Sequence, residues 1–248
     1  MNSVIYVMWL RQLKRYWRSK ARMIGTLGQP ILFLIALGFG LGAVFQEAGQ
    51  GNYLEFLAPG IVAMSILFTA MFNGIEVIWD RQFGFLKETL VAPVSRTKIM
   101  IGRTLGGATV AFAQGTLVLI ISLFLGFRIE NLTNLPIALT FMFLIALLFT
   151  ALGTAIASLL KDMNAFPLII NFVIMPLFFL SGALFPINNL PKFLDIIIRI
   201  NPLSYGVDGV RGALSTSTFG LMTDFTVMAG GIIIINLLGS YLFSKIEI

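Results

Sequence analysis

Six stretches of this chain are apolar for about twenty residues or more and carry no charge at their centres: roughly 24–45, 55–78, 104–127, 136–160, 164–185 and 225–244. A helix needs about 20 such residues to cross roughly 30 Å of hydrocarbon. The rest of the chain cannot hide that much apolar surface from water, because only 11% of the 248 residues are charged and 58% are hydrophobic. An ordinary soluble domain is about one-quarter charged. The expectation is an all-α integral membrane protein with six transmembrane helices, forming a single transmembrane domain over 1–248.

Lys and Arg in the connections set the orientation. The N-terminal arm holds Arg11, Lys14, Arg15, Arg18, Lys20 and Arg22 with no acid, and the second-to-third connection holds Arg81, Lys87, Arg96, Lys98 and Arg103. Lys161 and Lys245 fall on the same side. The opposite connections hold only Arg128, Lys192, Arg199 and Arg211. Both termini are therefore expected in the cytoplasm. This bias accounts for the net charge of +6, so no nucleic-acid partner is needed. The charged arm precedes any apolar run, so no cleavable signal is expected.

Within the arm, 1–22, residues 4–18 form an amphipathic pattern at helical period. Arg11, Lys14, Arg15 and Arg18 share one face. Ile5, Met8, Trp9, Leu13, Tyr16 and Trp17 occupy the remainder, with Gln12 as a departure. Such a helix can lie in the membrane interface with its cations toward anionic lipid, or it can be a basic flank that only orients the first span. In the connection over 80–98, Phe85, Leu86, Thr89 and Leu90 share a helix edge while Lys87 and Glu88 face away. Gly84 can open this helix and Pro93 ends it. A two-turn helix there is either a docking lever for another protein or a surface loop that happens to be helical.

The opposite side carries a second irregular segment, 186–214. Pro176 is expected to kink the fifth span or to break one of its ladder bonds. A short amphipathic piece follows over 191–200, opened by Pro191, and Asn201–Pro202 ends it. A second short helix over about 203–214 places Asp208 and Arg211 three apart, close enough to pair. Neither piece can span, so both are expected to dip into the outer leaflet, as an exit gate or as a structural cap.

Several chemistries are excluded. There is no His and no Cys, which removes the commonest general base, the commonest metal ligand and every thiolate site. No catalytic residue and no metal site is assigned. No Walker sequence occurs, because Gly106–Gly107 lies in a span without the following Lys and Ser or Thr. Glu76 is the one acid near a span. It is expected to pair with Arg81 or Arg103 or to order the base of the second span; the other reading is a substrate contact. Small residues in the spans (Gly38, Gly40, Gly42, Gly153, Ala157) permit close helix contact, within the protomer or along a dimer seam.

The run from Glu76 to Arg96, "E…WDR…GFLKETLVAPVSR", resembles the first cytoplasmic loop of ABC transporter permeases of the type-2 exporter family. "YLEFLAPGI" at 53–61 is similar to the start of that family's second span. The strongest likeness is "FFLSGALFPINNLPKFLDIIIRINPLSYGVDGVRGAL" at 178–214, with Ser181–Gly182, Phe185–Pro186, Leu190–Pro191, Asn201–Pro202, Tyr205, Asp208 and Arg211 in place. The resemblance implies a coupling helix at Gly84, Phe85, Leu86, Lys87, Glu88, Thr89, Leu90 and Pro93. It also implies an extracellular re-entrant segment containing Phe185, Pro186, Pro191, Asn201, Pro202, Tyr205, Asp208 and Arg211. It further implies two copies of a separate ATPase subunit that bind ATP and Mg, and a second permease protomer, the same chain or a close homologue. The expected function is ATP-driven export of an amphipathic drug, lipid or lipid-linked glycan across the cytoplasmic (inner) membrane. A path lined by Phe72, Asn73, Phe178, Phe179 and Ser181 suits such cargo. The alternative is a channel or an ATP-independent membrane adaptor.

Overall fold

The computed structural model describes residues 3–47, 52–85, 94–129, 131–160, 162–187 and 191–244. Among the described residues there are helices and connections but no strand. The helices are α1 (Ser3–Arg18), α2 (Lys20–Gly40), α3 (Gly42–Glu47), α4 (Tyr53–Gln82), α5 (Arg96–Phe124), α6 (Leu135–Leu159), α7 (Ala165–Phe179), α8 (Lys192–Ile200), α9 (Pro202–Leu214) and α10 (Leu221–Ser244). By length and composition, α2, α4, α5, α6 and α10 can each cross a membrane.

The fifth expected span departs from this pattern. Against the expected range of 164–185, α7 ends at Phe179, has 15 residues and is about 22 Å long at 1.5 Å per residue, and it is broken ahead of Pro176, as expected of that proline. Its middle, Ile170–Ile174, is a π-turn immediately before Met175–Pro176. Pro176 has no N–H to give to the ladder, and a wider turn ahead of it absorbs the missing bond. Turns at 180–185 carry the chain on, so that Ala183 and Leu184 lie beside the start of α4.

The bundle is built around α4. Of its most apolar window 83% is buried, against 17% for α2 and 11% for α10. The outward faces of α2 and α10 present Leu32, Phe39, Ile233, Ile234 and Leu237, which suits lipid or another chain rather than water. Glycines set the closest crossings. A Cβ on Gly74 would lie 2.4 Å from the Gly153 carbonyl oxygen, so α4 and α6 touch backbone to backbone. Gly153 therefore serves packing inside the protomer. Gly40 and Gly42, by contrast, have nothing within 4 Å of a built Cβ.

The arm helix α1 is not simply laid on the surface. Met8, Gln12 and Tyr16 are buried against α5. Gly102 and Gly106, one turn apart, form the seat: a Cβ at either would come within 2.7 Å of Met8 or Gln12. Gln12 belongs to the buried face because its stem fills the groove that Gly106 leaves open. Trp9 donates from Nε1 to Thr109 at 3.0 Å, and the Tyr16 hydroxyl bonds Gln114. Trp17, expected on the apolar side, is 73% exposed.

Candidate functional site

Two polar clusters hold the ends of α4. At the Gln82 end, Asn73, Glu76 and Asp80 recur at helical spacing and form one stripe. Four arginines from three other helices or turns converge on it. Arg22 of α2 donates to Glu76 at 2.6 Å and to Asn73 at 3.0 Å. Arg103 of α5 donates to Asp80 at 2.6 Å, with both side chains almost fully buried. Arg11 of α1 reaches Asp80 at 3.1 Å. Arg15, also on α1, stands 3.6 Å from both Glu76 and Asp80, with its guanidinium 5.7 Å from the Trp79 ring centroid. Asn73 completes the cluster by donating to the Gly107 carbonyl at 3.0 Å.

This clasp corrects the expected pairing of Glu76. Its described partners are Arg22 and Arg15, and Arg103 goes to Asp80 instead. It also corrects the expectation that Glu76 is the one acid near a span, since Asp80, Asp208 and Asp224 are buried as well. The polar stripe on α4 was the sequence signal for Asp80, masked by the aromatic and aliphatic residues between its members. The Gly102–Gly106 spacing was the signal for the seat of α1.

The clasp stands one turn before the connection expected to act as a lever. Helix α4 stops at Gln82, and Gly84 takes φ +81°, a left-handed conformation that suits glycine. Phe85 is 52% exposed and shares a cavity of about 660 Å³ with Arg11, Arg15 and Trp79. Leu86, Lys87, Glu88, Thr89, Leu90 and Pro93 lie outside the described residues.

At the Tyr53 end, Ala183 and Leu184 lie on α4, and α9 packs against α4 and α6. Tyr53 donates to the Leu184 carbonyl at 3.0 Å, and a Cβ on Gly60 would meet the Ala183 oxygen at 2.1 Å. Asn201 is 3% exposed. It accepts from the Leu203 N–H at 3.0 Å, capping α9, and its amide donates to Leu177 at 2.7 Å and Leu180 at 3.1 Å. Pro202 takes the first turn of α9, where no N–H is missed. Tyr205 donates to the Arg199 carbonyl at 2.8 Å. Phe185 and Pro191 are exposed and Pro186 is half-buried.

Asp208 and Arg211 do not pair with each other. Asp208 accepts from the Ser217 hydroxyl and from the Thr218 and Phe219 N–H groups at 2.8–2.9 Å, closing the turn before α10. Arg211 donates to the Gly182 carbonyl at 2.9 Å and to Phe56 at 3.3 Å, and stacks 4.0 Å from the Phe56 ring centroid. Spacing of three allowed the pair, but nearer backbone groups captured each partner.

The five residues expected along a path do not form one surface. Phe72 and Phe179 are exposed, whereas Asn73, Phe178 and Ser181 are buried. Asn73 is tied into the clasp, Phe178 packs on Phe68 at 6.2 Å, and Ser181 donates to the Phe178 carbonyl. Phe72 borders a cavity of about 220 Å³ between α2 and α4, together with Thr26, Gln29, Ser65 and Thr69. Among the described residues no group of His, Cys, Asp and Glu could hold a metal ion.

The profile of the family described as ABC-2 type transporter matches residues 3–215. A putative transport permease ycf38 of Cyanophora paradoxa is 30% identical over 259 aligned positions, covering 98% of this chain and 88% of its own length. Nodulation protein J of Rhizobium leguminosarum bv. trifolii is 31% identical over 199 positions, 79% of this chain and 75% of that protein. The inner membrane transport permease YadH of Escherichia coli (strain K12) is 29% identical over 227 positions, with 89% and 86% covered.

Proposed function

The chain belongs to the ABC-2 type transporter family, and on that premise we propose that it is the membrane subunit of an ATP-driven exporter in the cytoplasmic membrane. It spans the membrane six times, counting the broken α7 as the fifth passage, with both termini in the cytoplasm. It works as a dimer of permease protomers with two copies of a separate ATPase subunit, which bind ATP and Mg. The cargo is an amphipathic drug, lipid or lipid-linked glycan.

The observation that carries this reading is the clasp. It fastens α1, α2 and α5 to α4 one turn before residues 84–93. A force applied to that connection is therefore delivered to four helices together rather than to one. When ATP binding draws the ATPase subunits together, the connection moves, the clasped helices follow, and a path between protomers opens outward. The outer segment, held to α4 by Arg211 and to the end of α7 by Asn201, forms the far end of that path. Only a difference in nucleotide affinity between the two states can drive the change.

The test is co-purification with a Walker-containing subunit and measurement of its coupled ATPase. Leu86→Asp and Leu90→Asp should each release the subunit or abolish cargo-stimulated hydrolysis. An intact complex with normal stimulation in both variants would show that the lever lies elsewhere.

A further inference from the structure

Beside the arm helix lies a cleft that the transport reading leaves unused. It has a volume of about 690 Å³ and opens between α1 and α5, with Met23 of α2 at its side. Its long wall runs from Val110 through Phe112 and Ala113 to Leu117. Thr109 and Thr116 also line it, but their hydroxyls are bonded to the Leu105 and Phe112 carbonyls of their own helix. The wall is therefore effectively apolar. Lys14 and Arg18 stand at its rim, one turn apart on α1 and both exposed, beside the exposed Trp17.

Neither rim cation has an acidic partner among the described residues, whereas Arg11, Arg15 and Arg22 are engaged by Glu76 and Asp80. The clasp behind them sets four guanidiniums against two carboxylates, so the local field is positive as well. An apolar trough along a helix long and apolar enough to cross a membrane, with two spare cations and a Trp at one end, has the chemistry of a lipid binding site.

We propose that this cleft binds one anionic glycerophospholipid. Lys14 and Arg18 hold the phosphate-bearing headgroup and one acyl chain lies along Val110–Leu117. By the orientation given above the lipid comes from the cytoplasmic leaflet, but its binding does not depend on transport. Loss of the ATPase partnership would leave it unchanged, so the two readings fail separately.

The probe is phosphatidylglycerol against phosphatidylcholine, added to the purified full chain in detergent. Retained lipid is counted by native mass spectrometry and the thermal midpoint is followed. Wild type should retain one phosphatidylglycerol and be stabilised by it, with no such effect from phosphatidylcholine. Each cation near an anionic lipid surface strengthens binding about five-fold, so Lys14→Gln with Arg18→Gln should weaken retention about thirty-fold. Removing two distant cations, Arg128→Gln with Lys192→Gln, should leave it intact. Ala113→Trp fills the trough and keeps both cations, and should also eject the lipid. Equal retention of both lipids, unchanged retention in the Lys14/Arg18 pair, or full retention in Ala113→Trp would each overturn the proposal. So would a second copy of the chain seated in the cleft with no lipid bound.

Discussion

Asp80→Asn should be the most damaging single change in the clasp, because of what it leaves behind. Arg103 is 3% exposed, and its Nη1 has no hydrogen-bond partner even in the intact protein. Its only described anchor is the 2.6 Å bond from Nη2 to Asp80. Neutralising Asp80 strands a buried guanidinium, and breaking such a pair from one side costs about 3–5 kcal/mol. Arg11 meets the same carboxylate at 3.1 Å but is 37% exposed. In its absence Asp80 keeps Arg103 and Arg15, so Arg11→Gln should cost about 1 kcal/mol or less. At roughly 2–4 °C per kcal/mol for a chain of this size, the thermal midpoint should fall by about 6–20 °C for Asp80→Asn and by no more than about 4 °C for Arg11→Gln. Adding Arg103→Met to Asp80→Asn removes the stranded charge and should recover part of the loss, with a coupling energy of about 2 kcal/mol. Thermal unfolding of the wild type, the single variants Asp80→Asn, Arg103→Met and Arg11→Gln, and the double variant, all in one detergent, decides the matter. Equal losses for Asp80→Asn and Arg11→Gln, or a double variant equal to the sum of its singles, would refute the account of Arg103 as a charge held by one partner.

Gly60→Ala should destabilise by about 1–3 kcal/mol, because the new Cβ meets the Ala183 backbone oxygen at 2.1 Å and neither helix nor turn can yield freely. Gly40→Ala, where a Cβ meets nothing, should be neutral or slightly stabilising by thermal unfolding, and identical behaviour of the two would count against the close seat. Asn201→Ala loses the cap on α9, about 0.5–2 kcal/mol, together with two donated bonds to Leu177 and Leu180. Asn201→Asp keeps the cap but not those donors, so amide exchange at the first turn of α9 should quicken in the alanine variant and much less in the aspartate one.

The long helices were legible because a bilayer imposes a length and an apolarity that few other folds need. Residues 55–78 and 136–160 read as helices; α4 covers the first and α6 all but the last residue of the second. The fifth stretch misled because hydropathy measures transfer, not backbone continuity. Its composition is as apolar as the others, and only Pro176 hinted at the π-turn and the early end at Phe179. Side-chain pairing was less legible still. Helical spacing brought Asp208 near Arg211, yet that proximity did not decide the partner. A buried charge takes the group that best replaces water, and for Asp208 this was a run of N–H groups ten residues on. The arm showed its two faces in sequence, but which apolar residues would be buried depended on the Gly102–Gly106 groove, in another helix about ninety residues away.

The two ends of α4 are both held by arginine, but by opposite chemistry. At the Tyr53 end, Arg211 has carbonyl oxygens and a ring for partners, and the Gly60 contact beside it is backbone on backbone. Hydrogen bonds of that kind weaken steeply with angle, and a close-packed seat has no second register nearby. At the Gln82 end the partners are two carboxylates one turn apart on the same stripe, with Arg15 lying 3.6 Å from each. If α4 moves along its axis there, Arg15 gains one carboxylate as it leaves the other, and charge attraction has little angular demand. The same displacement at the far end would break the Arg211 bonds without replacing them. The Arg15 contact can therefore follow such a movement without loss, whereas the buried Arg103–Asp80 bond and the Gly74–Gly153 seat at the same end hold α4 to α5 and α6, so a displacement that begins at residues 84–93 carries those helices with it.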